Sequence, residues 1–457
     1  MTRRYWLGAL AAFAWLATAP LAAAQQWPVS ETRLDNGLQV IVREDHRAPV
    51  VVSQIWYRVG SSYEHSPITG VSHVLEHMMF KGTESLAPGE FSRIVAREGG
   101  RENAFTGRDY TAYFQQLSAD RLETSFRLEA ERMHRLRLDE GAFAKELQVV
   151  IEERRLRIED QPLSAFGERF NTIAYPVSPY RQPIIGWPAD LQSLRLDDLA
   201  TWYERWYTPA NATLVVVGDV DPQHVFDLAR EHFGPVPGGE APAPRHEPTL
   251  SAPGERRFEA RDDRADVPHV IVGYQVPSAA TAGYAADVYA LEVLATVLDG
   301  GDGARLPQRL VRDREIAAGV SAGYSSTSRL ETRFTLEGSP TSGTAPEALE
   351  RALREEVAAL REEPVSDEAL ARARNQLLAD HLFQLDSMFY QAMRIGRLET
   401  TGIGWEWLKG YEDGIRAVTA ADIQRVARAY LTPERLTVGI LRPGEQDGVD
   451  SDKSEER

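Results

Sequence analysis

The chain has 457 residues, with 51 Lys and Arg against 68 Asp and Glu, 43% apolar residues and no cysteine. It is too long for a single hydrophobic core, so two or more domains are expected, and a formal charge of −17 leaves no basic excess for phosphates, which argues against nucleic acid as a partner. Without cysteine there are no disulfides, thiol nucleophiles or thiolate metal sites, so any metal must be held by His, Asp or Glu.

Residues 1–24 read as a secretory signal: Arg3-Arg4, an Ala/Leu/Trp-rich run, then Ala22-Ala23-Ala24 before Gln25. The apolar run is shorter than the ~20 residues that span a bilayer. A cleaved signal with no stable membrane anchor is therefore expected, and a mature protein exported to the periplasm or beyond. Strand-like alternation at Leu38–Val42, after the turn Asp35-Asn36-Gly37, and at Val50–Tyr57 predicts a hairpin. Helical periodicity follows at Val71–Phe80, Asp120–Arg135 and Ala142–Arg157, and a strand at Thr213–Val217 closes a first domain over 25–235. The Pro/Gly-rich stretch 236–256 reads as a linker. A second domain over 257–443 opens with a strand at His269–Tyr274, and a charged tail at 444–457 is expected to be disordered. Asp299-Gly300-Gly301-Asp302-Gly303 lacks the Lys-Ser/Thr of a nucleotide loop and reads as a turn ending a helix. The Glu/Arg-rich segment Ala345–Arg374 reads as a solvated helical face.

The second half looks like a diverged copy of the first. A helix starting at Asp198-Leu199 runs through Tyr207-Thr208-Pro209 into Leu214–Gly218, and one starting at Asp422-Ile423 runs through Leu431-Thr432-Pro433 into Leu436–Ile440. The repeat spans about half the mature chain. Strands and helices in runs, without strict βαβ alternation, predict an α+β protein with two homologous domains.

The chemistry sits in Gly70-Val71-Ser72-His73-Val74-Leu75-Glu76-His77. On a helix His73 and His77 stack on one face with Glu76 beside them. Two imidazoles so placed can hold one zinc, and the carboxylate can take a proton from water activated there. This H-x-x-E-H order is a known zinc-peptidase signature. A catalytic zinc needs a third protein ligand, and the helix around 143–154 offers Glu146, Glu152 and Glu153. Glu146 and Glu153 share a face, but spacing alone does not rank them.

These residues, with Phe80-Lys81-Gly82-Thr83, Gly99–Thr106, Val149–Glu153 and the half-chain repeat, make the whole mature chain resemble the pitrilysin/insulinase-like zinc peptidases, which include the mitochondrial processing peptidase. The resemblance implies two α/β-sandwich domains, each a mostly antiparallel sheet packed with helices, facing each other across a substrate cavity. It implies one zinc held by His73, His77 and Glu153, Glu76 as general base, and Glu146 as a supporting carboxylate that orients the site. It places an extended peptide substrate along an edge strand at Asn103-Ala104-Phe105. It implies a second domain without metal, whose own histidines, His269 and His381, lie far apart in sequence. The activity implied is an exported zinc endopeptidase acting on short or unfolded polypeptides; the alternative is an inactive peptide-binding or scaffold subunit. The acidic charge gives a weak lean toward basic peptides.

One feature departs from the pattern. Many members of this family present an arginine and, seven residues later, a tyrosine that reach the substrate from the second domain. Here Arg312 matches the arginine, but Gly319 stands where the tyrosine is expected. A homologous partner subunit that supplies the pair is therefore expected, the alternatives being a homodimer or Tyr324 serving through a shifted loop.

Overall fold

The computed structural model of the protein describes residues 28–243 and 254–444. The expected signal at 1–24, residues 244–253 of the expected linker, and residues 445–457 of the expected tail lie outside the described residues.

In the first half, strands β1 (Val29–Arg33), β2 (Gln39–Glu44), β3 (Val50–Tyr57), β4 (Arg101–Thr106), β5 (Thr111–Ser118) and β6 (Ala212–Gly218) form one sheet in the order β1-β2-β6-β3-β5-β4. Its helices are α1 (Val71–Met78), α2 (Glu90–Arg97), α3 (Leu122–His134), α4 (Glu140–Arg154), α5 (Pro162–Ala174), α6 (Pro188–Ser193), α7 (Leu196–Trp206) and α8 (Pro222–His232). In the second half, β7 (Arg256–Asp262), β8 (His269–Val276), β9 (Ala317–Tyr324), β10 (Thr332–Pro340) and β11 (Leu436–Pro443) form a sheet in the order β7-β11-β8-β10-β9. Around it lie α9 (Ala285–Asp299), α10 (Pro346–Glu362), α11 (Asp367–Leu385), α12 (Met388–Thr400), α13 (Tyr411–Ala417) and α14 (Ala420–Tyr430).

Setting β1 aside, the two sheets have the same plan. Each contains one parallel pair, β2/β6 and β7/β11, and is otherwise antiparallel. The α+β duplication expected from sequence is thus expressed strand by strand.

The hairpin expected from 38–42 and 50–57 does not form. β6 lies between the two strands, pairing Val42 with Val216 on one side and Val52 with Val217 on the other. Alternation tells which face is buried, not which strand is the neighbour. The segment 345–374 also differs from expectation. α10 buries Leu349, Leu353, Val357 and Leu360, a helical stripe hidden among charges. Glu350 and Glu356 go down with them, paired to Arg257 and to Arg305 and Arg309.

The halves exchange a helix. α12 covers the outer face of the first sheet, with Ala392, Ile395 and Leu398 against Ile41, Val52, Trp56 and Val217. In return α5 sets Phe166 and Phe170 on Ile271 and Leu441 of the second sheet. Glycine makes both contacts possible: a Cβ at Gly396 would run into Trp56, and one at Gly439 into Phe166 and Phe170. A buried polar knot joins the halves nearby, where Asp109 accepts from Ser62, Tyr180 and Arg329. No described helix is long and apolar enough to cross a membrane.

Candidate metal centre

Helix α1 is fixed before it offers any chemistry. Val71, Val74, Leu75 and Met78 are fully buried in the first core, so the opposite face carries His73, Glu76 and His77. Gly70 enters the helix at φ 89°, and a Cβ on it would meet the Ile185 carbonyl at 2.8 Å. The first helical N–H groups are satisfied from a distance: Glu64 accepts from Gly70 N at 2.7 Å and Ser72 N at 2.9 Å. Burial pushes the Glu64 carboxyl up to about 7.

The two imidazole rings lie 4.9 Å apart, and their Nε2 atoms converge on one oxygen of α4. His77 Nε2 is 3.5 Å and His73 Nε2 3.9 Å from Glu153 Oε2. The other Glu153 oxygen pairs with Arg157 at 2.7 Å. Glu146, one face-repeat earlier, stands behind His77: its Oε2 is 3.4 Å from Nδ1, while its Oε1 meets Lys81 Nζ at 2.7 Å. A carboxylate there accepts the Nδ1 proton and leaves the Nε2 lone pair facing the site. Glu152 points away, 60% exposed and paired with Arg155. The choice that spacing left open between Glu146 and Glu153 is thereby drawn geometrically, Glu153 facing both histidines and Glu146 backing one.

Burial, with His77 and Arg157 adding to it, lowers His73 to about 3. Its ring is neutral at physiological pH, as a ligand must be. Glu76 is raised above the usual carboxylate range by burial, and Thr106 Oγ1, donating to its Oε2 at 2.5 Å, pulls it back. A tetrahedral zinc with bonds near 2.1 Å sets its ligand atoms about 3.4 Å apart. The ligand atoms of His73, His77 and Glu153 all lie within 4.8 Å of one another, so this donor set fits the ion. A further group with that reach, Glu123, Glu231 and His232, has two exposed members.

These side chains open on a cavity of about 840 Å³. β4 is the sheet's edge, and its residues Asn103, Ala104, Phe105 and Thr106 line that cavity. An edge strand with a free row of N–H and C=O groups can take an added strand. The described lining comes entirely from residues 73–185, so the second half contributes no wall. Arg312, expected there, is turned to Asp302 of the glycine-rich turn at 3.3 Å and is half exposed. Gly319 lies on edge strand β9 with nothing within 4 Å of where a Cβ would be. Tyr324 is committed elsewhere, its hydroxyl donating to the Pro277 carbonyl at 2.7 Å.

Sequence reasoning assigned no role to Thr106, Lys81, Arg157 or Glu64. Thr106 and Lys81 lie inside segments singled out as motifs, so a signal was present. For Glu64 none was, because it reaches its helix across the intervening loop.

The family described as "Insulinase (Peptidase family M16)" matches residues 39–186, and "Peptidase M16 inactive domain" matches 193–377. "Zinc protease PqqE" of Helicobacter pylori is 32% identical over 90% of this chain and 92% of its own length. The crystal structure of a protease from Helicobacter pylori, 30% identical, superposes with a TM-score of 0.85 over 91% of this chain and 99% of that one. The periplasmic protease PqqL from Escherichia coli, at 18% identity, shares the fold with a TM-score of 0.78, covering 92% of this chain and 48% of that one.

Proposed function

The chain belongs to peptidase family M16, and on that premise we propose that it is an exported zinc endopeptidase that hydrolyses extended peptides lying along β4. One observation carries the reading: two imidazole Nε2 atoms and a carboxylate oxygen converge beside Glu76 in a cavity bordered by an edge strand. The naming of relatives as zinc proteases supports it.

His73, His77 and Glu153 would hold the ion. A bound zinc supplies Lewis-acid activation of the scissile carbonyl and of water. Glu76 then does the proton work. Thr106 holds its Oε2, leaving Oε1 to take the proton from the attacking water and return it to the leaving amine. Glu146 keeps His77 in the tautomer that presents Nε2. β4 orders the substrate through main-chain hydrogen bonds, which admits varied sequences while requiring an extended peptide.

Two parts of the proposal concern the setting. Export rests on the signal-like residues 1–24 and on the periplasmic naming of the Escherichia coli neighbour. A homologous partner that brings an arginine and tyrosine pair to the cavity is supported by Arg312 lying off the cavity, by the open space at Gly319 and by the engaged Tyr324 hydroxyl. Full activity of the purified chain, unchanged by any homologous subunit, would remove the partner. For the central reading the test is a quenched peptide with and without chelator: cleavage that stops on chelation and returns with zinc supports it. A zinc-loaded protein that binds peptides and cuts none would make it a binding subunit instead.

A further inference from the structure

The cavity beside the metal site is not electrically uniform. At the metal end its carboxylates are Glu76 and Glu153. Glu168, the other carboxylate of the lining, is neutralised by Arg154, which donates to its two oxygens at 2.9 and 2.7 Å. Arg157 is taken by Glu153. That leaves Arg108 and Arg181, both lining the cavity, with no carboxylate at ion-pairing distance among the described residues.

Arg108 is held in place without being satisfied. It sits in the turn joining β4 to β5, tied down by Gly107 N to Tyr110 O at 2.8 Å and by Ser62 N to Arg108 O at 2.8 Å. Its guanidinium lies over the Tyr180 ring at 5.4 Å, and its Nε is buried without a hydrogen-bond partner. The adjacent carboxylate, Asp109, is already engaged by Ser62, Tyr180 and Arg329. The Arg181 guanidinium donates to the Pro176 carbonyl at 3.1 Å. Asn171, on the same lining, has a buried Oδ1 that accepts nothing. Behind them Arg333 stacks on Phe170 and Tyr175, and burial, with Arg108 among the further causes, holds it below its ordinary value. Positive charge is concentrated here in a protein whose formal charge is −17.

We propose that Arg108 and Arg181 form a carboxylate subsite in the substrate cavity, so that the peptides cut best carry an acidic group close to the scissile bond. The inference rests on the peptidase reading above and names its substrate class. Thr106 touches Glu76, and Arg108 follows it by two residues, so a peptide strand on β4 meets Arg108 within about three residues of the bond cut. A guanidinium fork suits a carboxylate better than any neutral group. The protein's overall acidity pulls the other way, but that field is screened beyond about 8–10 Å at physiological salt, whereas the subsite acts at contact distance. The weak lean toward basic peptides is therefore reversed locally. The carboxylate has two possible sources, an Asp or Glu side chain or the free C-terminus of a short peptide.

The test uses the full chain loaded with zinc for turnover, and its Glu76→Gln variant for binding by fluorescence anisotropy. One peptide series, amidated at the C-terminus, exchanges Asp for Asn at each of three positions on either side of the cleaved bond. A second keeps the sequence neutral and compares free acid with amide at the C-terminus. We expect at least a tenfold preference for the acidic member in one series, in kcat/KM and in binding, and the series that shows it identifies the source. Arg108→Gln and Arg181→Gln should each reduce that ratio to about twofold or less, and Arg108→Lys should retain part of it. Two separate variants keep the test open should one fold poorly. Ratios near one in both series, for turnover and binding alike, would overturn the subsite. Preferential binding without cleavage of any peptide would uphold it while defeating the peptidase reading.

Discussion

Helices α1 and α9 occupy equivalent places in the two halves, each following the strand that pairs with the sheet's late-arriving member, yet only one carries chemistry. α1 is eight residues long and buries one face, so His73 and His77 keep 12% and 23% of their side chains exposed. α9 is fifteen residues long and buries Val288, Leu291, Val293, Leu294 and Leu298 around its circumference. Its buried carboxylate, Asp287, is already paired with Arg425 and accepts from the Tyr430 hydroxyl at 2.5 Å, and Glu292 is raised by burial. A helix enclosed on all sides has no place for a charged ligand set, because each unpaired group would forfeit its hydration. The edge strands repeat the contrast, β4 bordering the cavity while β9 carries Gly319 over open space. The duplicated scaffold supplies position; exposure decides which copy has a site.

The contrast breaks most sharply at Glu76. Glu76→Gln should keep the fold and the metal and lower kcat by about 10³-fold or more, since a positioned general base contributes about 10²–10⁴. His269→Ala in the second half should leave kcat and metal content as they were. Circular dichroism, metal analysis and peptide kinetics on the two variants check this together.

The exchanged helices can be broken symmetrically. Phe170→Ala should cost about 3–5 kcal/mol and Ile395→Ala about 2–5 kcal/mol. Because each helix serves the other half's sheet, both variants should still unfold in one cooperative transition, as read by calorimetry. Two separate transitions would show halves that stand independently.

Thr106→Val tests the link between the edge strand and the base. Burial raises the Glu76 carboxyl and the Thr106 bond lowers it, so removing the bond favours the protonated form. The base works deprotonated; the acidic limb of kcat/KM should therefore move to higher pH, by up to about one unit, with a loss approaching about tenfold only at pH values below the limb. A limb that stays in place would separate Thr106 from the base.

Gly319→Tyr is the mildest change. With no atom within 4 Å of the added Cβ, stability should shift by no more than about 0.5 kcal/mol. A gain in peptidase activity on this substitution would show that the missing tyrosine limits the chain alone.

Much of the site was legible because it is local. His73, Glu76 and His77 lie within one helical turn, and Glu146 and Glu153 share a face by spacing. What remained hidden is long-range. Which glutamate faces the histidines depends on how α4 crosses α1, and the place of β6 between β2 and β3 depends on a strand from the far end of the half. Arg312 illustrates the same limit: the family resemblance placed it at the cavity, and it pairs instead with Asp302 of the turn at 299–303. The helix exchange has no sequence signal, since an apolar face on α5 or α12 does not say whose sheet it covers.

Zinc content tests the central claim, that one metal centre in the first half does the chemistry. The purified chain and its His77→Ala, Glu153→Ala and His269→Ala variants would be stripped with chelator, reloaded with zinc, desalted and analysed for metal per chain. The account predicts about one equivalent in the parent and in His269→Ala, and essentially none in His77→Ala and Glu153→Ala. Two tightly held equivalents in the parent, or a full equivalent retained without His77, would contradict it.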